Sequence, residues 1–211
     1  MPEEFEVEQE PAAAEVIFGS KINQARGYAQ ALVRDADLLG LLGPREMPKL
    51  WTRHILNSAV VAELVDAGSL VADVGSGAGL PGIPMALAQP AAHFVLIEPM
   101  ERRANWLAEQ VIALGLSNVE VRRQRAEEVE TKAFDVVTAR AVSALPKLLR
   151  LTVPLLKTGG KLLALKGSKA ADEIADSQVL VKKLKIKSFE ILSTGSKVLA
   201  EPTSVVQTIL S

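Results

Sequence analysis

The chain has 211 residues, 48% of them apolar, no cysteine, two histidines and a formal net charge of −1. That length accommodates one large domain with a helical extension; the missing cysteines exclude disulfides, thiolate metal sites and a cysteine nucleophile, and two histidines argue against a protein-ligated metal centre. No apolar run approaches the roughly twenty residues that span a bilayer, and the acidic N-terminus lacks a basic start or an apolar signal core, so a cytoplasmic protein without a membrane partner is expected.

Residues 1–13 are glutamate-rich and carry Pro2 and Pro11, a composition that predicts a disordered acidic tail. Without Glu3, Glu4, Glu6, Glu8, Glu10 and Glu15, 24 basic residues face 19 acidic ones. The remainder is therefore mildly basic, which permits contact with RNA without demonstrating it. From Ala14 to Leu42 apolar residues recur at helical spacing, and a further helix opens at Trp51 and runs to Gly68. Residues 14–68 thus predict an N-terminal helical cap. Within it Arg53 and Asn57 share a helix face. That face, with His54, either holds substrate near the turn that follows or is a plain helix surface with His54 bonded to backbone, and both readings stand at this point.

The most informative stretch is 71–84, Val-Ala-Asp-Val-Gly-Ser-Gly-Ala-Gly-Leu-Pro-Gly-Ile-Pro. It predicts a buried strand, a tight turn built on Gly75, Gly77, Gly79 and Gly82, and a helix in whose first turn Pro84 is tolerated. Such a turn puts bare amides beside the carboxyl end of a central strand, where open α/β sheets bind ligands. Gly77-Ala-Gly79-Leu-Pro-Gly82 fits a dinucleotide fingerprint, which leaves an NAD-dependent oxidoreductase using Gly77, Gly79, Gly82 and Glu98 as a rival. Asp73-x-Gly75-x-Gly77-x-Gly79 fits the acidic pattern of S-adenosylmethionine (AdoMet) methyltransferases. The carboxylate of Asp73 favours AdoMet, because it suits a cofactor ammonium and repels a pyrophosphate.

His93–Glu98 predicts a second strand that ends in an acid about twenty residues beyond the glycines, where a nucleotide-binding fold places the carboxylate for ribose hydroxyls. A helix is expected over Met100–Leu114, with Arg102 and Arg103 opposing the dipole of its first turn. Asn118–Arg122 is a third strand, followed by Arg123 and Arg125, with Ala126 and Glu127 beside the expected adenine pocket. Phe134–Thr138 is a fourth, ending near Arg140. Leu145–Leu156 predicts a helix that stops at Lys157-Thr-Gly-Gly160, and a fifth strand then ends at Lys166. A helix around Ala171–Leu184 precedes Lys185–Leu192 and Ser204–Leu210, an expected antiparallel hairpin. The whole is one open seven-stranded α/β sheet over residues 69–211.

With these motifs placed, the chain resembles class I AdoMet methyltransferases, Rossmann-like in fold. More closely it is similar to the glucose-inhibited division protein B family, small-subunit ribosomal RNA guanine-N7 methyltransferases. The carrying residues are Arg53-His54-x-x-Asn57-Ser58, Asp73 to Pro84, Arg125-Ala-Glu-Glu128, Thr138-Ala-Arg140-Ala141 and Ala164-Leu-Lys-Gly167. The resemblance implies AdoMet contacts at Gly75, Leu80, Ala126, Glu127 and Arg140, to which the direct reading of the residues adds Asp73, Ser76, Gly77, Gly79 and Glu98. It implies a partner in small-subunit ribosomal RNA or the 30S particle, met by a monomer. Arg140 and Lys166 are candidates for substrate positioning, and Arg53, His54, Asn57, Arg102, Arg103, Arg122, Arg123 and Arg125 for RNA contact. A non-catalytic RNA-binding or assembly factor that senses AdoMet is the rival from another class.

Overall fold

The computed structural model describes residues 6–211. Seven strands form one sheet: β1 (Leu70–Val74), β2 (His93–Ile97), β3 (Val119–Arg122), β4 (Phe134–Arg140), β5 (Leu156–Leu165), β6 (Ile186–Thr194) and β7 (Thr203–Leu210). Their spatial order is β3-β2-β1-β4-β5-β7-β6, with β7 antiparallel to both neighbours and the other pairings parallel. The expected seven-stranded sheet and its closing hairpin are both present. Strands β1, β2 and β4 are near-continuous apolar runs buried on both faces, as parallel strands covered by helices must be. The register sets Asp73 opposite Leu96 and Thr138, so these three strands end level at one edge.

The helices follow the sequence punctuation. α1 (Ala13–Phe18) ends at Gly19, and α2 (Ile22–Leu39) ends at Gly40, which takes the left-handed conformation at φ 60° that closes many helices. α3 (Asn57–Ala59) is one turn inside a longer helical segment. Then come α4 (Gly82–Ala88), α5 (Glu101–Ala113), α6 (Leu145–Thr152), α7 (Ala170–Ser177) and α8 (Val181–Leu184). On one side of the sheet α1, α2 and the segment around α3 share a single core with Ala78, Leu80, Ile83, Trp106 and Leu107. The N-terminal helices thus pack directly under the glycine turn. The opposite side is closed by Leu145, Leu148 and Leu149 of α6 against Ala72, Val74 and Ile97.

Three expectations are corrected. The helix from Trp51 is wound unevenly: Leu50–Leu56 is a wide π turn, then comes α3, then a tight turn at Val60–Leu64. Helix α6 stops at Thr152 rather than 156 because Pro154 cannot continue it; a tight turn over Val153–Leu155 leads into β5, which absorbs Lys157–Gly160 as a bulge against β4. The acidic tail was expected to be disordered throughout. Its first five residues lie outside the described ones, but Glu8 accepts the amides of Trp51 and Thr52 at 2.8 and 3.0 Å. Glu10 pairs both carboxylate oxygens with Arg26 at 2.6 and 2.7 Å. Composition registers the charge of these glutamates but not the unpaired amides of a helix start, nor the arginine, that wait for them.

Gly82 marks a close approach of turn and sheet: a Cβ there would clash with Leu96 Cδ2 and lie 2.6 Å from Asp73 Oδ2. Gly82→Ala is expected to destabilise the fold by about 1–3 kcal/mol through overpacking, measured as a lower urea midpoint with an unchanged slope.

Candidate functional site

The turn between β1 and α4 runs through Gly75, Gly77 and Gly79 at φ 71°, 55° and 84°, a backbone that side chains resist. It is held by bonds from its surroundings. The amides of Gly75 and Ser76 donate to the Ile97 carbonyl at 2.9 and 3.2 Å, and the Ser76 hydroxyl donates to the Asp73 carbonyl at 2.9 Å. Glu98, only 3% exposed, accepts the Gly77 amide on one oxygen and the Met100 amide on the other, both at 2.9 Å. From α2, the fully buried Tyr28 donates its hydroxyl to the Ala78 carbonyl at 2.7 Å. Tyr28 was not singled out from sequence; its signal is an amphipathic helix carrying one aromatic whose hydroxyl must find a partner once buried.

Asp73 requires a correction. It is fully buried, accepts the Gly82 amide on Oδ2 at 3.1 Å, and offers a ligand no surface. Its Oδ1 is buried with no bonding partner among the described residues. Burial pushes its carboxyl up to about 7. Its role in this structure is to brace the turn against α4. Leu80 is likewise 7% exposed within the apolar core. Ala126 is buried and Glu127 exposed on a single turn directly after β3. Over the turn lies the segment after β4: a Cβ on Gly75 would come within 3.0 Å of Val142 Cγ2, and Ala141 beside it has φ 55°.

Arg140 ends β4. Its Nη1 donates to the His54 carbonyl at 3.2 Å and to Ser58 Oγ at 3.1 Å, and its Nη2 lies 2.6 Å from His54 Nδ1. The other ring nitrogen of His54, Nε2, is 2.7 Å from Glu46 Oε2. His54 is therefore a buried link between Arg140 and Glu46 and not a surface for RNA, which corrects that expectation. Its pKa is lowered by burial first and by the neighbouring Arg140 charge second, with Glu46 opposing. Lys166 is also committed: its ammonium donates to the Ser143 carbonyl and to Glu173, both at 2.7 Å, and Glu173 in turn accepts the Leu145 amide. It ties down the segment that covers the glycine turn and is not poised for substrate.

At the carboxyl ends of β4 and β5 opens a cleft of about 720 Å3 lined by Arg53, Asn57, Arg140, Lys166, Ile191 and Thr203. A second hollow of about 610 Å3 shares Arg53 and Asn57 with it and adds Lys49 and Thr52. Of the arginines expected to contact phosphates, Arg102 and Arg103 donate to the carbonyls of Leu38 and Gly40 at 2.7 and 2.8 Å, at the end of α2. That explains cations in the first turn of α5: they answer the negative end of another helix. Arg122 is paired at both ends with Glu120, and Arg123 with Glu101 at 3.0 Å. Arg125 is exposed. The arginine run is therefore largely matched within the chain, and the structure gathers Arg53, Asn57 and Arg140 at the cleft instead.

Fold and site together define the class I methyltransferase architecture. Two solved structures share it: M. jannaschii TYW2 in complex with AdoMet, at 20% identity and TM-score 0.57 over 74% of each chain, and the tRNA (m1A58) methyltransferase TrmI of Aquifex aeolicus, at 14% identity and TM-score 0.55 over 72% of this chain and 67% of that one. Residues 21–200 match the family described as GidB, rRNA small subunit methyltransferase G. Proteins named ribosomal RNA small subunit methyltransferase G from Clavibacter michiganensis and Leifsonia xyli are 50% and 51% identical to it, covering 98% and 95% of this chain and 98% and 96% of theirs. The chain belongs to that family, and is a methyltransferase.

The raised carboxyl of Asp73 has a consequence for stability. The folded state binds its proton more tightly than the unfolded state does, so ionising it costs folding free energy as pH rises from about 4 to about 7. Relative to the native chain, Asp73→Asn is expected to gain stability across that window and to show a constant difference above it, read from urea unfolding at stepped pH.

Proposed function

We propose that this chain moves the methyl group of AdoMet to N7 of a guanine in small-subunit ribosomal RNA, in the cytoplasm, as a monomer acting on the RNA or the 30S particle. The observation that carries the reading is the adjacency of two features. A glycine turn of left-handed backbone stands at the end of β1, and one strand away a cleft with Arg140 on its wall opens at the ends of β4 and β5.

The residues fit AdoMet. The three glycines of the turn carry no side chain of their own, Val142 lying over Gly75, and Glu98 keeps lone pairs beyond the two amides it accepts, enough for ribose hydroxyls. Ala126 and Glu127 would border the adenine, and Arg140 the end nearest the cleft. When bound, AdoMet supplies an electrophilic methyl group on a sulfonium sulfur.

The rest of the work falls to the chain. Guanine N7 carries an in-plane lone pair and no proton, so no side chain has to act as general base before attack. What remains is alignment, and holding reactants in line supplies about 7–11 kcal/mol in favourable cases. The wall of Asn57, Thr203 and Ile191 would seat a base drawn out of its stack, with Arg53, 60% exposed at its side chain and only loosely paired with Glu46 at 3.7 Å, reaching for a phosphate. The insertion of an antiparallel β7 between β5 and β6 departs from the dinucleotide-binding strand order, which weighs against the oxidoreductase alternative.

Incubating the protein with labelled AdoMet and small ribosomal subunits is expected to place label in RNA at a guanine whose strand becomes cleavable by reduction and aniline, the signature of N7 alkylation. Label-free RNA despite AdoMet binding by calorimetry would favour the assembly-factor reading. Gly75→Val, forced into φ 71° with Val142 already 3.0 Å from its Cβ, is expected to lose AdoMet binding and label together.

A further inference from the structure

The link from Glu46 through His54 to Arg140 fixes a protonation state. A guanidinium only donates, so His54 Nδ1, 2.6 Å from Arg140 Nη2, must be a bare acceptor. The ring proton then sits on Nε2 and is donated to Glu46 at 2.7 Å. The ring is neutral and of one tautomer. Three of the five N–H donors of Arg140 are taken by His54 and Ser58. Among the described residues none accepts from Nε–H or from the second Nη2 hydrogen; with Nη1 and Nη2 both turned to His54, that second hydrogen falls on the same edge of the planar group as Nε–H. Arg140 lines the cleft.

We propose that His54 is a positioning residue: as its neutral Nε2–H tautomer, oriented by Glu46, it holds the Arg140 guanidinium in one orientation and reserves its Nε–Nη2 edge as a fork for a planar acceptor group in the cleft. The inference rests on the function proposed above, in that the acceptor is a carboxylate of the methyl donor or the O6 edge of the target purine. Protonating His54 turns Nδ1 into a donor facing a guanidinium, which breaks the bond and sets two cations 2.6 Å apart. The fork is then released, so the device is engaged only while the ring is neutral. Groups facing the ring are Glu46 on the 44–49 turn, Arg53 on the ring's own segment and Arg140 on β4; burial and the two arginines lower the ring's pKa, while Glu46 raises it.

The test reads that dependence in two independent ways. By nitrogen-15 NMR of the imidazoles, His54 is expected to show a protonated Nε2 and a bare Nδ1 at neutral pH, titrating below the ordinary histidine range. A protonated Nδ1 at neutral pH would overturn the proposal. In methyl transfer, kcat/KM is expected to fall on the acid side as His54 protonates. His54→Asn keeps an acceptor near the Nδ1 position but cannot titrate, so it is expected to keep more neutral-pH activity than His54→Ala and to lose that acid limb. His54→Ala is expected to lose activity on the order of 10²-fold, the scale set by misplacing a positioning group, with a weakened AdoMet affinity marking the donor carboxylate as the acceptor and a raised KM for RNA marking the purine. Glu46→Gln removes the charge that raises the ring's pKa and is expected to move the limb to lower pH. An unchanged limb in His54→Asn would assign it to another group, Asp73 with its carboxyl near 7 being the nearest rival, and would overturn the proposal. Melting temperatures of each variant separate unfolding from lost positioning, and absence of transfer by the native chain would count against the proposed function while leaving the NMR readout intact.

Discussion

A backbone turn made of alternating glycines has little to hold itself in place, and the amide of Gly77 resting on the Glu98 carboxylate shows how this one is held. The fixing bonds of the turn come from three elements: Ile97 and Glu98 from the end of β2, Asp73 from β1, Tyr28 from α2. The turn is therefore only as well placed as the packing of those elements. This ties the N-terminal helices to the site, because Tyr28 reaches Ala78 only while α2 sits against Trp106 and Leu107. It also gives the glutamates near the N-terminus a structural purpose: Glu10 clamps Arg26 on α2, and Glu8 closes the start of the helical segment that carries His54.

The same arrangement explains a choice of charge. Asp73 and Glu98 place two carboxylates beneath and beside the turn, and burial of the first is costly enough to raise its pKa to about 7. Neutral braces would serve geometry as well. The carboxylate of Glu98 beside the turn also makes the local potential negative, which suits a sulfonium ligand and disfavours a pyrophosphate. Arg140 supplies the opposite sign at the cleft.

Much of this was legible from sequence. The strand, glycine turn and helix around 71–84 carry their own punctuation, and the acid at the end of β2 falls at a spacing that the fold fixes. The seven strands and their closing hairpin followed from the alternation of apolar runs and helical periods, whereas their spatial order comes from the structure. What stayed hidden was pairing across distance. Arg102 and Arg103 look like a phosphate-binding edge until α2 brings two carbonyls to them. Lys166 looks poised for substrate until Ser143 and Glu173 take its ammonium. His54, with two readings open, falls nearer the buried one, bonded to two charged side chains from other elements rather than to backbone. Local spacing records that a charge exists; only the folded chain shows what answers it.

That distinction bears on where specificity resides. Charges already satisfied inside the chain, such as Arg122 with Glu120, have little to offer an RNA phosphate without first breaking a bond. Arg140 differs because its partners use one side of the guanidinium and leave an edge open. Hydrogen bonds to a charged group contribute more than those between neutral groups, so the His54 and Ser58 bonds to the half-buried Arg140 both stabilise the fold and decide where the open edge points. Structural and chemical roles coincide in the same bonds. The neutrality of a single imidazole, set by burial and by the guanidinium it serves, thereby becomes a condition for the geometry of the cleft.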